Sequence, residues 1–239
     1  MNNGVHLPDI SRLASLLADP GRARMLLLLL DGRSYPASEL ARHAGLSAQS
    51  ASNHLAKLLQ GGAVKVEQHG RHRYYLLANV AIAQALEALS AAAHGHDLQR
   101  PRAASPVSPQ LRLARTCYDH LAGRLGIAIA DAMQADGLLL LNEERQFEVT
   151  PSGRRWFAAT LGVTAPTRGK RPLARACLDW SERRPHLAGA FGAALCREFQ
   201  QRNWVERRQD SRALRVTPAG QAFLREQWGI RPETLTESA

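Results

Sequence analysis

Aromatic residues are scarce in this 239-residue chain, 5% of the total against 45% hydrophobic residues overall. A core so short of Phe, Tyr and Trp is filled largely by Ala and Leu, which points to a mainly helical globular protein and away from disorder. Cysteine is rarer still. Its three copies, Cys117, Cys177 and Cys196, all lie in the second half, and in a reducing compartment they begin as thiols. Long apolar runs are missing as well. The run Met25 to Leu30 falls far short of the roughly 18 residues that cross a bilayer, and no charged-then-apolar leader precedes a cleavage site. A cytoplasmic protein without a membrane partner is therefore expected. A phosphate loop, a Gly-x-Ser-x-Gly elbow and a His-Glu-x-x-His pair are all absent, so no catalysis is expected either.

What is plentiful is positive charge. Lys and Arg total 31 against 21 Asp and Glu, a net +10, and such a surplus favours a polyanion because neutralising phosphates releases condensed counterions. The length suits two ordinary domains. The pattern divides them as residues 1–94, a linker over 95–110 that carries three prolines and no hydrophobic periodicity, and residues 111–239.

In the first part, Ile10, Leu13, Leu16 and Leu17 recur at helical spacing, and Asp19-Pro20 caps and opens a buried helix that ends at Asp31-Gly32. A short helix over Ala37–Ala44 closes at Gly45, Ser47 caps the next, and that helix runs from Ala48 to about Gln60. Its apolar side is Ala51, Leu55, Leu58 and Leu59. Its other side is small and polar, with Gln49, Ser50, Ser52, Asn53, His54 and Lys57. Gly61-Gly62 stops the helix, and a two-stranded hairpin turning at His69-Gly70 follows, its second strand made basic by Arg71 and Arg73. A last helix with Ile82, Leu86 and Leu89 reaches about Ala93.

Helix, tight turn and polar helix have the spacing of a helix-turn-helix, and short polar side chains are what a major groove admits. The stretch LSAQSASNHLAKLLQGGAV and the wing HGRHRYYLL resemble the ArsR/SmtB family of winged-helix repressors over about residues 9–93. The resemblance implies a dimeric regulator reading double-stranded DNA with Ser47, Gln49, Ser50, Ser52, Asn53, His54 and Lys57, and gripping the backbone with Arg71 and Arg73. The family's metal sensors carry a paired-cysteine box on the preceding helix, which Glu39–Gly45 lacks. Another family site uses Asp and His pairs on the last helix, and no Asp-x-His precedes His94 and His96. No metal site and no cofactor are assigned on these grounds.

The second part repeats itself. LARTCYD at 113–119 matches LARACLD at 173–179, HLAGRLGIA from His120 matches HLAGAFGAA from His186, and FEVTPSG ending at Gly153 matches LRVTPAG ending at Gly220. The growing offset places a six-residue insertion at Trp180–Pro185. Each copy, about 112–163 and 172–230, reads as helix, hairpin and a helix opened by Thr-Pro, giving a winged-helix-like tandem. Cys117, Asp119 and His120 recur as Cys177, Asp179 and His186. With Cys117 and His120 three apart on one helical face, these six are the effector candidates, open to three readings: core packing, a small-molecule pocket between the copies, or metal or redox sensing. Cys196 has Ala130 as its counterpart.

Overall fold

The computed structural model describes residues 10–69, 72–95, 108–164, 171–208 and 211–236. By internal contacts the chain divides into two units, Met1–Leu86 and Glu87–Ala239. The first begins with α1 (Ile10–Leu17) and α2 (Pro20–Leu29). Asp19 accepts the Arg22 N–H at 2.9 Å, and Pro20 takes the first helical position, where its missing N–H costs nothing. Met25, Leu26 and Leu29 of α2 are wholly buried. This helix is the spine against which α3 (Ala37–Ala44) and α4 (Ala48–Gln60) pack.

Between α2 and α3 lies β1 (Tyr35–Pro36), which pairs with β3 (His72–Leu77), itself paired with β2 (Val64–His69). The expected two-stranded wing is thus a three-stranded sheet. Two residues ending in proline carry no alternation to betray a strand, and they are held there from the far side. Tyr35 is buried opposite Tyr75, and its hydroxyl donates to Asp31, a carboxylate with no exposed surface that also accepts the Arg33 N–H at 2.7 Å. The next helix, α5 (Val80–Gly95), spans the division between the units. Most of the expected linker, with His96, lies outside the described residues.

The second unit continues with α6 (Pro109–Leu113), β4 (Arg115–Cys117), β5 (His120–Ala122), α7 (Gly123–Ala135), β6 (Leu139–Leu141), β7 (Phe147–Val149) and α8 (Pro151–Leu161). The order from β4 onward then recurs as β8 (Arg175–Leu178), β9 (Pro185–Ala188), α9 (Gly189–Gln201), β10 (Val205–Arg207), β11 (Leu214–Val216) and α10 (Pro218–Trp228). Thr150 and Thr217 cap α8 and α10 by accepting the N–H three residues on, so the Thr-Pro pairs are caps. One core joins Leu125, Ile129 and Met133 of α7 to Phe191, Leu195 and Phe199 of α9, with Phe157 and Leu224 from the closing helices. Among the described residues no helix is long and apolar enough to cross a membrane.

The Tyr35–Asp31 bond yields a test. Burial, then the carboxylate, push the tyrosine above its ordinary value. A group whose folded pKa is raised contributes stability that is whole below the unfolded value of about 10 and fades as pH climbs through the folded one. Tyr35→Phe is expected to destabilise the chain by about 1–3 kcal/mol at neutral pH and to flatten the loss of stability above pH about 10. Denaturant unfolding across pH 7–11 checks both. An unchanged alkaline slope would assign that loss to other groups.

Candidate functional site

Gly45 takes a left-handed φ of +68°, so the chain leaves α3 and enters α4 within three residues. Ser47 opens α4 by accepting the Ser50 N–H at 3.2 Å. Ala51, Leu55 and Leu58 are buried, which fixes the rotation of the helix about its axis. Ser47, Gln49, Ser52, Asn53 and Lys57 consequently stand exposed, and Ser50 is half-buried at the cap. Gln49 donates to Asn53 across one turn at 3.4 Å, a loose contact between two amides that present donors and acceptors together. His54 is placed differently. Its Nδ1 lies 3.4 Å from Arg22 Nη1 and 3.7 Å from Asp19 Oδ1, which ties α4 to the start of α2. In the wing, Arg73 is exposed with its guanidinium 5.8 Å from the Tyr75 ring centroid, while Arg71 lies outside the described residues.

The second constellation corrects the sequence reading. Cys117 and His120 do not share a helical face; they are directly opposed on β4 and β5, joined by a two-residue turn in which Tyr118 takes a φ of 60°. Cys177 and His186 are opposed in the same way on β8 and β9. A spacing of three fits a helical turn as well as a two-residue hairpin, and the apolar pattern around it does not separate the two. The six-residue insertion lengthens the second turn without disturbing its Cys–His pairing.

The two hairpins bring all four side chains together. The Cys117 and Cys177 sulfurs are 3.8 Å apart, the two imidazoles stack with centroids 5.1 Å apart, and every one of the four residues is buried. The histidines lie against helix glycines: a Cβ on Gly192 of α9 would stand 3.4 Å from the His120 Cβ and one on Gly126 of α7 3.7 Å from the His186 Cβ, both ordinary contacts, whereas the Leu187 and Leu121 carbonyl oxygens at 2.4 and 2.6 Å are what exclude a side chain at these positions. Each histidine therefore packs on the other copy's helix.

Asp119 and Asp179 lie behind the histidines. Asp119 Oδ1 is 3.3 Å from His120 Nδ1, and Arg171 grips the same carboxylate through two bonds of 2.6 and 3.0 Å. Asp179 Oδ2 is 3.7 Å from His186 Nδ1. It accepts the Gly123 N–H at 2.7 Å, and Oδ1 takes Arg115 Nη2 at 2.6 Å together with the N–H and hydroxyl of Ser181. Burial opposes ionisation of both acids, but the cations and donors outweigh it and hold each at about 2. Burial likewise opposes a charged His120, and Asp119 with the Cys177 sulfur overrides it, raising the imidazole to about 9. Of the two thiols, contact with Cys117 together with both histidines draws Cys177 down, while the same sulfur contact and burial drive Cys117 up. Cys196 stands apart in the α9 core, its thiol pushed by burial to about 11.

Sequence reasoning missed Arg115, Arg171 and Ser181. The recurrence of Arg115 as Arg175 in the repeated LAR motif was the signal for the first; Ser181 sits in the insertion, where repetition offers none. Charges from that insertion also reach back to the first copy, Glu182 to Arg112 and Arg124, and Arg184 to Asp131. They rim a depression of about 250 Å³.

A helix-turn-helix domain model matches residues 17–67. The chain is 42% identical over 215 residues to an HTH-type transcriptional regulator of Bacillus subtilis, YdfF, a match covering 89% of this chain and 94% of that protein. It belongs to this family of HTH-type transcriptional regulators, with a helix-turn-helix domain in its N-terminal unit. The solution structure of the cadmium sensor CmtR of Mycobacterium tuberculosis is 39% identical over 41% of this chain and 94% of its own, with a TM-score of 0.29. A homodimeric winged helix-turn-helix domain of a possible ArsR-family regulator from Mycobacterium bovis is 25% identical over 39% of this chain and 93% of its own, with a TM-score of 0.35.

Removing the Asp179 carboxylate would strand the Arg115 guanidinium, which has no exposed surface. Asp179→Ala is expected to cost about 3–5 kcal/mol, and adding Arg115→Met should recover part of that loss because the orphaned charge goes with it. Unfolding of the two variants side by side measures the difference. Equal stabilities would show that the charge was never stranded.

Proposed function

We propose that the protein is a cytoplasmic, sequence-specific repressor that binds operator DNA as a homodimer and answers to an effector held by its C-terminal unit, without catalysis. The observation that carries this reading is the exposed polar face of α4 beside an exposed wing arginine: Gln49 and Asn53 have the amides that pair bidentately with adenine, Ser47, Ser50, Ser52 and Lys57 flank them, and Arg73 suits phosphate or minor groove. Arg71 takes the same role as Arg73 on the resemblance alone. His54 is assigned to orienting the helix, given its contacts with Arg22 and Asp19. Dimerisation is supported by α1, where Ile10 and Leu13 belong to an amphipathic helix none of whose residues is buried.

The C-terminal unit, residues 111–239 in this reading, is a duplicated winged-helix-like module whose copies present Cys117, Asp119 and His120 opposite Cys177, Asp179 and His186. All three cysteines lie in residues 111–239, which supports placing any response to an effector in the second unit.

Binding to the DNA upstream of its own gene should exceed binding to random duplex by about 10³-fold or more at physiological salt. Gln49→Ala and Asn53→Ala should each cost about 1–3 kcal/mol on that DNA and little on random duplex. Arg73→Ala should weaken every duplex and lower the slope of log affinity against log salt by about one unit. Fluorescence anisotropy titrations at several salt concentrations read all three. Equal affinity for both DNAs would instead make the protein an architectural binder.

A further inference from the structure

The four buried side chains of the paired hairpins have the composition and spacing of a closed metal site. Their ligand atoms, one sulfur or nitrogen each from Cys117, His120, Cys177 and His186, all lie within 4.8 Å of one another. Two thiolates each about 2.3 Å from a tetrahedral Zn2+ stand about 3.8 Å apart, and the two sulfurs are separated by 3.8 Å.

Polar satisfaction points the same way. Nε2 of His120 and both ring nitrogens of His186 are buried outside hydrogen-bonding geometry, with the Cys177 sulfur the neighbour that acts on both rings, and buried polar atoms left in that state are destabilising unless something fills the gap. An aspartate faces the Nδ1 of each ring, Asp119 at 3.3 Å and Asp179 at 3.7 Å, leaving Nε2 to point into the cluster. That carboxylate–imidazole pairing is how metal-binding histidines are oriented. Two thiolates and two neutral imidazoles carry a charge of −2, so a divalent cation is neutralised where water cannot screen it.

We propose that Cys117, Cys177, His120 and His186 bind one thiophilic divalent cation of the zinc class, with Asp119 and Asp179 as positioning residues. Tetrahedral S₂N₂ sets favour Zn2+ among available metals. Binding displaces to solvent every proton held by the two sulfurs and by the ligating ring nitrogens, His120 included, and no oxidant or reductant is consumed. As the identity of the effector, the cation rests on the function proposed above; as a ligand of this site, it does not.

The test uses the full-length protein stripped of metal and reduced. Zn2+ titrated against a chromophoric chelator should bind at one equivalent per chain, and Co2+ should give the sulfur-to-metal charge-transfer and visible bands of a tetrahedral thiolate site. Cys177→Ser and His186→Gln should each lower Zn2+ affinity at least 100-fold, while Cys196→Ser leaves it unchanged. If those variants fail to fold, Asp119→Asn, which keeps all four ligands, should still weaken binding about 10–100-fold. Absence of stoichiometric binding, a six-coordinate Co2+ spectrum, or a Cys117–Cys177 disulfide forming in preference to Zn2+ uptake would overturn the site. Operator affinity with and without Zn2+ is a separate reading: tight coordination with no change in DNA binding leaves the site standing and removes the cation as effector.

Discussion

The second unit hangs on one buried ion pair. Arg115 opens the first strand of the first hairpin and Asp179 directly follows the first strand of the second, so their 2.6 Å contact fixes one copy against the other. An unpaired charge there is far more costly than a pair, and both terminal nitrogens of the guanidinium are bonded while its Nε is not. The guanidinium also bonds the Leu111 carbonyl and the Ser181 hydroxyl and lies over the Trp180 ring, and the carboxylate holds the first N–H of α7. With the hairpins so locked, the reciprocal seating of each histidine on the opposite helix follows from the chain geometry.

Two copies of one pattern have diverged where they needed to differ. In the first hairpin a two-residue turn leaves Asp119 near the surface, where Arg171 reaches it. The insertion in the second buries Asp179 completely and sends Glu182 and Arg184 back to the other copy. A symmetric cluster of Cys and His is thus surrounded by an asymmetric set of charges.

Local chemistry accounts for what was legible in advance. Asp19-Pro20, Gly45, Ser47 and Gly61-Gly62 punctuate the first unit where the structure starts and stops its helices, because caps and glycines act within a few residues. The six candidate residues of the second unit were found by their recurrence. Their geometry was not, since Cys-x-x-His has the same spacing on a helix and across a tight hairpin, and β1 was hidden because its pairing with β3 depends on residues forty positions away. The contacts of His54 with Arg22 and Asp19 were obscured similarly, since a polar residue on a polar helix shows no partner until the neighbouring helix is in place.

Complete enclosure of the Cys and His side chains sets a clock as well as a composition. Nothing that small and that deeply walled can leave by diffusion alone; the hairpins must first part, and such local openings are governed by the stability of the pieces that separate. A cation held there as proposed would be retained for the lifetime of the closed state, so its release would follow the opening of the hairpins and not the ligand's instantaneous concentration.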